Sequence, residues 1–269
     1  MRFSHLFSCL FAALVLCMPG VAPAADAKSK PVLLYSRYFN AEGEDRYLPD
    51  GNYKAFLEKL RGDFEVVVHN KALQAQTLKG IDVVLIANPS EKAAKDNPAP
   101  HHFSPKDVAA IDGYISRGGG LIIMGNQENH NLEVEDTNKL LKFSGLQFTN
   151  IYTDAKQLVI PKETPILGGL RWAYYTGNSV AIEKESKAHA RGLVMNDLRQ
   201  KPIKGPRDEA GALLAISEPG KGRVAVVTDA GWLTETALDG TGIGGVAIKE
   251  HDNYEIFLRL ANWAAHRAN

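Results

Sequence analysis

The sequence predicts an α/β fold in which a mostly parallel β-sheet carries helices on both faces. Two continuous apolar runs, residues 81–87 and 121–124, are typical of parallel strands that are buried on both sides. Around these runs, apolar residues recur with the 3.6-residue period of amphipathic helices. The resulting order of strand, helix, strand, strand, helix, strand and helix is the rhythm of such a sheet.

The first elements follow from these two periods. Residues 32–35 form a short apolar run and predict the first buried strand. The helix after it has apolar positions at i, i+3, i+4 and i+7, occupied by Tyr53, Phe56, Leu57 and Leu60. Residues 64–68 are strand-like, and the strand at 81–87 ends at the turn residues Asn88 and Pro89.

Capping residues mark the next helix. Ser104 is a favoured N-cap, and Pro105 suits the first helical position. The inward face of this helix is Val108, Ile111 and Ile115, and it ends at the glycines 118–120. After the strand at 121–124, a further helical face is formed by Thr137, Leu140, Leu141 and Ser144 and closed by Gly145.

The rhythm changes in a β-rich segment at about 147–212, where short strand-like pieces occur at 157–160 and 179–182. We interpret this segment as an insertion in a single domain that spans residues 25–269. The core pattern resumes at 211–216 and continues with a strand at 223–228. The last helix is expected from about residue 253 to 266, with its inward face formed by Phe257, Leu260, Ala261 and Ala264.

The first 24 residues predict a secretory signal peptide. Arg2 supplies a positive start, residues 6–18 are nearly all apolar, and Ala22-Pro23-Ala24 has the form that signal peptidase cleaves after. The apolar run is shorter than the roughly 20 residues of a membrane-spanning helix, so no stable membrane anchor is expected. The predicted location is the periplasm or the outside of a bacterial cell.

Composition excludes several classes of function. Both cysteines, Cys9 and Cys17, lie in the predicted signal, so the processed chain would have no disulfide, thiolate nucleophile or iron–sulfur site. The 31 basic and 31 acidic residues balance, and no basic block is present. Nucleic acid is therefore not an expected partner.

Four segments follow predicted strands, at 36–40, 88–91, 125–130 and 229–232. We call the edge of the sheet that they form the rim, where open α/β sheets bind ligands. The candidate ligand-binding residues at the rim or near it are Arg37, Asn88, Asn126, Glu128, Trp232 and His251.

Glu128, His130 and Asp229 are the candidate catalytic residues of the rim. A carboxylate and an imidazole on one loop are able to perform general acid–base chemistry or to hold a metal. Polar loop side chains also commonly bond only to the backbone, and Asp229 either caps its own turn or faces a ligand. No metal or cofactor is assigned to the site.

Other patterns favour structural roles. Asp252 lies three residues before Glu255 at a helix start, which predicts a capping box rather than a catalytic pair with His251. The adjacent imidazoles of His101 and His102 would point apart, which favours a solvated loop. Residues 240–245 match G-x-G-x-x-G but follow no strand, so a dinucleotide site is not expected.

Aromatic side chains could provide further contacts for a sugar, although large aromatic residues more often belong to the core. The four considered are Trp172, Tyr174, Tyr175 and Trp232.

Several stretches together resemble a known superfamily. They are IDVVLIANP (81–89), FSPKDVAAIDGYISRGGGLIIMGNQE (103–128), GKGRVAVVTDAGWL (220–233) and a closing helix with Asn253, Phe257 and Trp263. They resemble a poorly characterised exported family of the class I glutamine-amidotransferase-like superfamily, related to the ThuA-like trehalose-utilisation proteins. The resemblance covers about residues 31–266 and implies a flavodoxin-like three-layer sandwich with a β-rich insertion.

One departure from that superfamily determines whether its glutaminase activity is expected for this chain. Its glutaminases have a cysteine in a G-x-C-x-G turn after the strand at 121–124, where this chain reads GNQEN (125–129). Without a thiolate, glutaminase chemistry is excluded. Relatives are often exported and found near carbohydrate metabolism or in membrane-associated assemblies.

The expected function is therefore that of a non-catalytic or degenerate amidotransferase-like domain that binds a small polar ligand, such as a carbohydrate, at the rim. Two alternatives remain open. One is a periplasmic hydrolase that uses Glu128, His130 and Asp229, with or without a metal. The other is an interaction module with a protein partner in a cell-envelope complex.

Overall fold

The computed structural model describes residues 29–40, 46–89, 100–154, 156–196, 211–242 and 246–267. The predicted signal peptide lies outside these ranges. In the described ranges, none of the helices combines the length and apolarity required to cross a membrane.

Thirteen strands and five helices are seen in the described residues. The strands are β1 Val32–Ser36, β2 Glu65–His69, β3 Val83–Ala87, β4 Gly120–Met124, β5 Leu146–Phe148, β6 Thr153–Asp154, β7 Gln157–Val159, β8 Arg171–Ala173, β9 Thr176–Gly177, β10 Val180–Ile182, β11 Arg191–Met195, β12 Ala212–Ser217 and β13 Arg223–Val227. The helices are α1 Lys54–Leu60, α2 Pro105–Ser116, α3 Val134–Leu141, α4 Glu235–Leu238 and α5 Asn253–Ala264.

The main sheet has a parallel half and an antiparallel half. Its order is β2-β1-β3-β4-β13-β12-β10-β5, with β11 also paired to β12. Strands β2, β1, β3, β4 and β13 are parallel, in the 2-1-3-4-5 order of flavodoxin-like folds. The antiparallel strand β12 then joins the β-rich segment to this sheet. The predicted α/β, flavodoxin-like sandwich is confirmed.

Helices cover both faces of the sheet, because successive residues of a strand point to opposite sides. In β3, Val83 and Leu85 belong to one apolar cluster, whereas Val84 and Ile86 belong to the other. Side chains of α1 and α5 complete the first cluster, and side chains of α2 and α3 complete the second. The three-layer arrangement follows from this alternation.

Local signals place four of the five helices near the positions that the sequence predicts, whereas the short helix α4 has no counterpart in that prediction. The Ser104 side chain accepts the Asp107 N–H, and the Asp107 carboxylate accepts the Ser104 N–H in return, which forms a capping box before Pro105. Gly145 follows α3 and a 3-10 turn with φ +69°, the left-handed conformation that ends helices.

Candidate functional site

A cavity of about 300 Å³ opens at the rim, beyond the carboxyl ends of β4 and β13. Chain segments between β1 and α1, from the β-rich segment and around α4 complete its walls. It is called the rim cavity below. Its lining residues are Arg46, Tyr47, Asn52, Asn126, His130, Tyr175, Thr176, Asp229, Gly231, Thr234, Thr236 and Gly242.

Asp229 is the buried carboxylate of this cavity, with only 3% of its surface exposed. It follows β13, and its Oδ1 accepts the N–H of Gly231 at 2.6 Å. Its Oδ2 is buried and accepts no hydrogen bond of ordinary geometry from the described residues. A buried oxygen without a donor is costly, so a ligand that donates a hydrogen bond would be stabilised there.

Burial raises the pKa of Asp229 from 3.8 to about 7, because the charged form loses its hydration. Nearby backbone N–H groups, those of Gly231 and Tyr175 among them, offset part of this increase. At neutral pH the side chain is therefore able to give or take a proton. A carboxyl group poised near pH 7 in a cavity is typical of binding and catalytic sites.

Asn126, directly beyond β4 and Gly125, connects the rim segments. Its Nδ2 donates to the hydroxyl of Tyr47 at 2.6 Å, and its Oδ1 accepts the N–H of Ala230 at 2.8 Å. The Asn126 N–H donates to Asn88 Oδ1 at 2.9 Å. Both ends of the side-chain amide are thus occupied, so Asn126 is better suited to positioning Asp229 than to binding a ligand through its side chain.

His130 contributes an imidazole to the same cavity. It ends a 3-10 turn, Glu128–His130, which is followed by Asn131 in the left-handed conformation at φ +69°. The Asn88 side chain supports this turn by donating from Nδ2 to the His130 carbonyl at 2.9 Å. Burial, and to a lesser extent the charge of Arg46, lowers the pKa of His130. The neutral imidazole is consequently favoured at neutral pH, with one nitrogen able to donate and one able to accept.

The β-rich segment supplies the remaining wall. Gln127 Nε2 donates to Thr176 Oγ1 at 3.2 Å and to the Gly177 carbonyl at 2.7 Å, which joins the β4 loop to β9. Gly177 lies so close to β13 that a Cβ would be 1.8 Å from the Thr228 carbonyl oxygen. Glycine is required for this contact, which brings β9, and with it Thr176, to the wall of the rim cavity.

The structure brings three of the predicted rim residues to one cavity, namely Asn126, His130 and Asp229. Asn88 is buried and does not line the cavity. Its side chain forms hydrogen bonds with the backbone of Asn126 and His130, so it holds these two residues in position. Glu128 shares the turn with His130 but is not part of the lining. Of the two candidate residues that the sequence places on this turn, the structure therefore brings His130 to the cavity and leaves Glu128 outside its lining.

Three other predicted ligand-binding positions have different roles. Arg37 is at the surface, where its Nη1 lies 3.5 Å from Asp50 Oδ2. His251 accepts the Asn253 N–H through Nδ1 at 3.3 Å and does not line the cavity. Trp232 is fully buried in the core, so its ring cannot stack on a ligand. Its Nε1 instead donates to the Asp229 carbonyl at 3.0 Å.

Trp172 and Tyr174 are likewise fully buried and unable to receive a sugar. Tyr175 is the one of the four considered aromatic residues that lines the cavity. The Lys156 ammonium lies 3.5 Å from the centre of its ring, which covers one face. Tyr175 is partly buried and also packs against the apolar core, so only part of its surface is left for a ligand.

The capping box predicted for Asp252 is wrong. Its side chain makes no cap hydrogen bond to α5. The carboxylate instead accepts the Arg171 N–H through Oδ2 at 2.7 Å, and Arg171 Nε lies 3.7 Å from the same oxygen. Long-range pairing with β8 thus replaces the local cap that the spacing predicts.

The remaining histidine and glycine patterns lie elsewhere. His101 stacks on Tyr38 with ring centres 3.9 Å apart, and His102 Nδ1 lies 3.6 Å from Asp136 Oδ2. In the glycine-rich stretch, Gly242 lines the cavity, whereas 243–245 lie outside the described residues. Across the described ranges, no group of three or more His, Cys, Asp and Glu is arranged to hold a metal ion.

A larger cavity, of about 620 Å³, lies at the opposite edge of the sheet, near the amino ends of β3 and β4. Its charged lining mixes Lys79, Arg117 and Asp82. Ligands of open α/β sheets bind at the carboxyl ends, and Asp229 Oδ2 belongs to the smaller cavity. The rim cavity is therefore the better candidate site.

Comparison with known proteins identifies other structures with a similar fold. No protein-family model matches the chain, and no curated protein matches it. Among solved structures, the N-terminal domain of mmIFT52 is similar with a TM-score of 0.63 at 15% identity, covering 87% of this chain and 97% of that one. A protein described as ThuA-like, from Bacteroides uniformis, has a TM-score of 0.54 at 14% identity, with 90% and 95% covered.

A cytoplasmic protein of Salmonella typhimurium LT2 is similar to the same degree, with a TM-score of 0.54 at 15% identity and 87% and 99% covered. These likenesses extend over nearly the whole of each neighbour. At such low identity they show a shared architecture, and function must be argued from the site.

Proposed function

We propose that this chain binds a small polar ligand, such as a carbohydrate, in the rim cavity. The observation that carries the proposal is Asp229, a buried carboxyl group whose Oδ2 faces no protein donor of ordinary geometry among the described residues. Folding leaves this oxygen desolvated and without a hydrogen bond of ordinary geometry from the described residues, which is unfavourable unless a ligand completes it. A hydroxyl group of the ligand would supply the missing hydrogen bond.

The other walls agree with a ligand of this kind. A volume of about 300 Å³ lies at the small end of the range for ligand pockets, which suits a ligand the size of a monosaccharide. The neutral imidazole of His130 and the hydroxyl of Thr236 add polar groups, and the partly buried ring of Tyr175 adds some aromatic surface. The ThuA-like resemblance of the sequence favours the carbohydrate class.

A thermal-shift screen tests this proposal. The wild-type protein is heated with monosaccharides, disaccharides and small hydroxy acids, and a ligand at about 100 times its dissociation constant adds about 2.7 kcal/mol of stability. We expect at least one sugar to raise the melting temperature of the wild type. Asp229→Asn should remove that shift, because the amide replaces an acceptor with a donor at one of its two positions.

A matched control separates binding from stability. Asp107 is another buried aspartate, but it caps α2 and does not line the rim cavity. Asp107→Asn should lower the melting temperature of the free protein and preserve the ligand-induced shift. If Asp229→Asn keeps the shift of the wild type, or if no polar compound produces one, the proposal is wrong.

Acid–base catalysis on the bound ligand is a second candidate function. Asp229 has a pKa of about 7 and shares the cavity with the neutral His130, so each side chain is able to transfer a proton to or from a bound ligand at neutral pH. In this version of the hydrolase hypothesis, Glu128 has no part. Turnover of chromogenic glycosides or esters should disappear in Asp229→Asn and persist in Glu128→Gln.

We also propose that the protein acts outside the cytoplasm, on the basis of residues 1–24. Export would place the rim cavity among periplasmic or extracellular sugars. A role as a module of a cell-envelope complex is compatible with the same location, and a pull-down from the envelope fraction tests it.

A further inference from the structure

We propose that β2 is a dimerisation strand that pairs antiparallel with β2 of a second copy of this chain. Strand β2 lies at one end of the main sheet and is bonded to β1 alone in the described ladder. An open strand edge readily accepts another strand. This inference is independent of the rim cavity and of the ligand proposed for it.

The backbone of β2 presents one set of hydrogen-bonding groups to β1 and one set outward. The Glu65 N–H donates to the Pro31 carbonyl at 2.9 Å, and the His69 carbonyl accepts the Arg37 N–H at 2.8 Å. Because successive residues of a strand direct these groups to opposite edges, Glu65 and His69 face β1 together with Val67. The N–H and C=O groups of Val66 and Val68 consequently face away from the sheet.

The side chains of β2 are unusual for an open edge. Natural sheets protect such edges with lysine, proline or a bulge, whereas the centre of β2 is Val66-Val67-Val68. Val67 and Val68 are 36% and 41% exposed, and they are among the few large apolar side chains that are exposed in the described residues. They lie on opposite faces of the strand, so a single helix packed on one face would not cover both.

The sequence of β2, EVVVH, is complementary to itself when two copies run antiparallel about Val67. Glu65 of each copy then lies opposite His69 of the other, and Val66 lies opposite Val68. The outward amides of Val66 and Val68 coincide in this register, so each of these pairs exchanges two hydrogen bonds. The opposed Glu65 and His69 side chains, the apolar contact and the amide pattern therefore agree on one register.

This arrangement has two-fold symmetry, in which the same patch serves both subunits. The axis passes between the two Val67 residues, which form a non-hydrogen-bonded pair with Cα atoms about 4.5 Å apart. The two main sheets would join into one continuous sheet. A second copy of the chain is thus the partner that fits the strand without any change in its backbone.

The first test measures mass against protein concentration by light scattering. We expect the wild type to approach the dimer mass as concentration rises. Val67→Lys places two like charges against each other on the axis and should keep the protein monomeric. The matched control is Val159→Lys, on β7, where the side chain is 68% exposed and outside the proposed interface; it should dimerise like the wild type.

Exchanging the residues at positions 65 and 69 tests the proposed register of the two β2 strands. His69→Glu places two carboxylates opposite each other at both ends of the interface and should weaken the dimer. Combining it with Glu65→His restores the opposite pairs in reversed order and should recover dimerisation. A strand that pairs without this register would not show the recovery.

Cross-linking tests the axis directly. In a chain with Cys9 and Cys17 changed to serine, Val67→Cys should form an intermolecular disulfide on mild oxidation, because the expected Cα separation lies in the disulfide range. Val159→Cys should not do so at the same concentration. A wild-type protein that stays monomeric at all soluble concentrations, or a Val67→Lys variant that dimerises as well as the wild type, would overturn the proposal.

Discussion

The Asn126 side chain accepts the backbone N–H of Ala230 at 2.8 Å, so a residue beyond β4 fixes the residue that follows Asp229. Tyr53 completes this support from the other side by donating its hydroxyl to the Ala230 carbonyl. The turn that carries Asp229 is therefore held by side chains from two other parts of the chain. The position of the buried carboxylate depends on tertiary contacts as well as on its own strand.

Asn126→Ala should destabilise the protein by roughly 1–3 kcal/mol, because the Ala230 N–H would be left buried without its acceptor. Urea unfolding measures this loss. Tyr47→Phe removes the hydroxyl that accepts from Asn126 Nδ2 and leaves the Ala230 contact in place, so it tests the other end of the same amide. A cost for Asn126→Ala within about 0.5 kcal/mol, the usual range for surface changes, would show that the bridge does not hold the turn.

Asp229→Asn should alter how stability depends on pH. Because folding raises the pKa of Asp229 from 3.8 to about 7, the folded state binds more protons than the unfolded state between these values. The stabilisation from the protonated form is complete below about pH 4 and is lost as pH rises through 7, with a limiting slope of about 1.4 kcal/mol per unit. Asparagine has no such titration.

The measurement is the difference in the free energy of unfolding between Asp229→Asn and the wild type at pH 5 and at pH 8. We expect the free energy of unfolding of the variant to increase relative to that of the wild type as the pH increases. His130 and His251 have lowered pKa values and act in the opposite direction, but both proteins contain them. A difference that is constant with pH would show that Asp229 ionises normally.

Local sequence patterns predict the central strands and the longer helices, but not the four-residue helix α4. The buried runs at β3 and β4 and the capping box at Ser104 each depend on residues close in sequence. The direction of β12 is not predicted by such patterns, because an apolar run has the same sequence pattern in a parallel strand and in an antiparallel one. The sequence predicts a core strand there without showing that it runs against β13.

The site is predicted in part for a related reason. Strand ends identify Asn126, His130 and Asp229, because parallel strands bring their carboxyl ends to one edge. Tyr47 reaches the cavity from an irregular segment and Thr176 from the two-residue strand β9, and neither position is marked by a periodic pattern. A rim position also leaves the side-chain direction open, and Trp232 turns into the core although Asp229 beside it lines the cavity.

Export is a prediction about the amino terminus. Signal peptidase should cleave after Ala24, because Ala22 and Ala24 provide the small residues that it requires. Intact-mass analysis of the protein from the periplasmic fraction should give a first residue of Ala25. Ala24→Leu should slow this cleavage, and recovery of the full-length wild type from the cytoplasm would contradict the prediction.

Ile86→Ala tests the position of β3 in the sheet. Ile86 is 1% exposed and lies in the apolar cluster under α2 and α3, while β3 is paired with β1 on one side and β4 on the other. The substitution removes buried methyl and methylene groups and leaves a cavity, so we expect a loss of roughly 2–5 kcal/mol in chemical denaturation. Val159→Ala, on an exposed strand, should change stability by no more than about 0.5 kcal/mol. A loss for Ile86→Ala as small as that of Val159→Ala would mean that β3 is not a central strand and that the strand order is wrong.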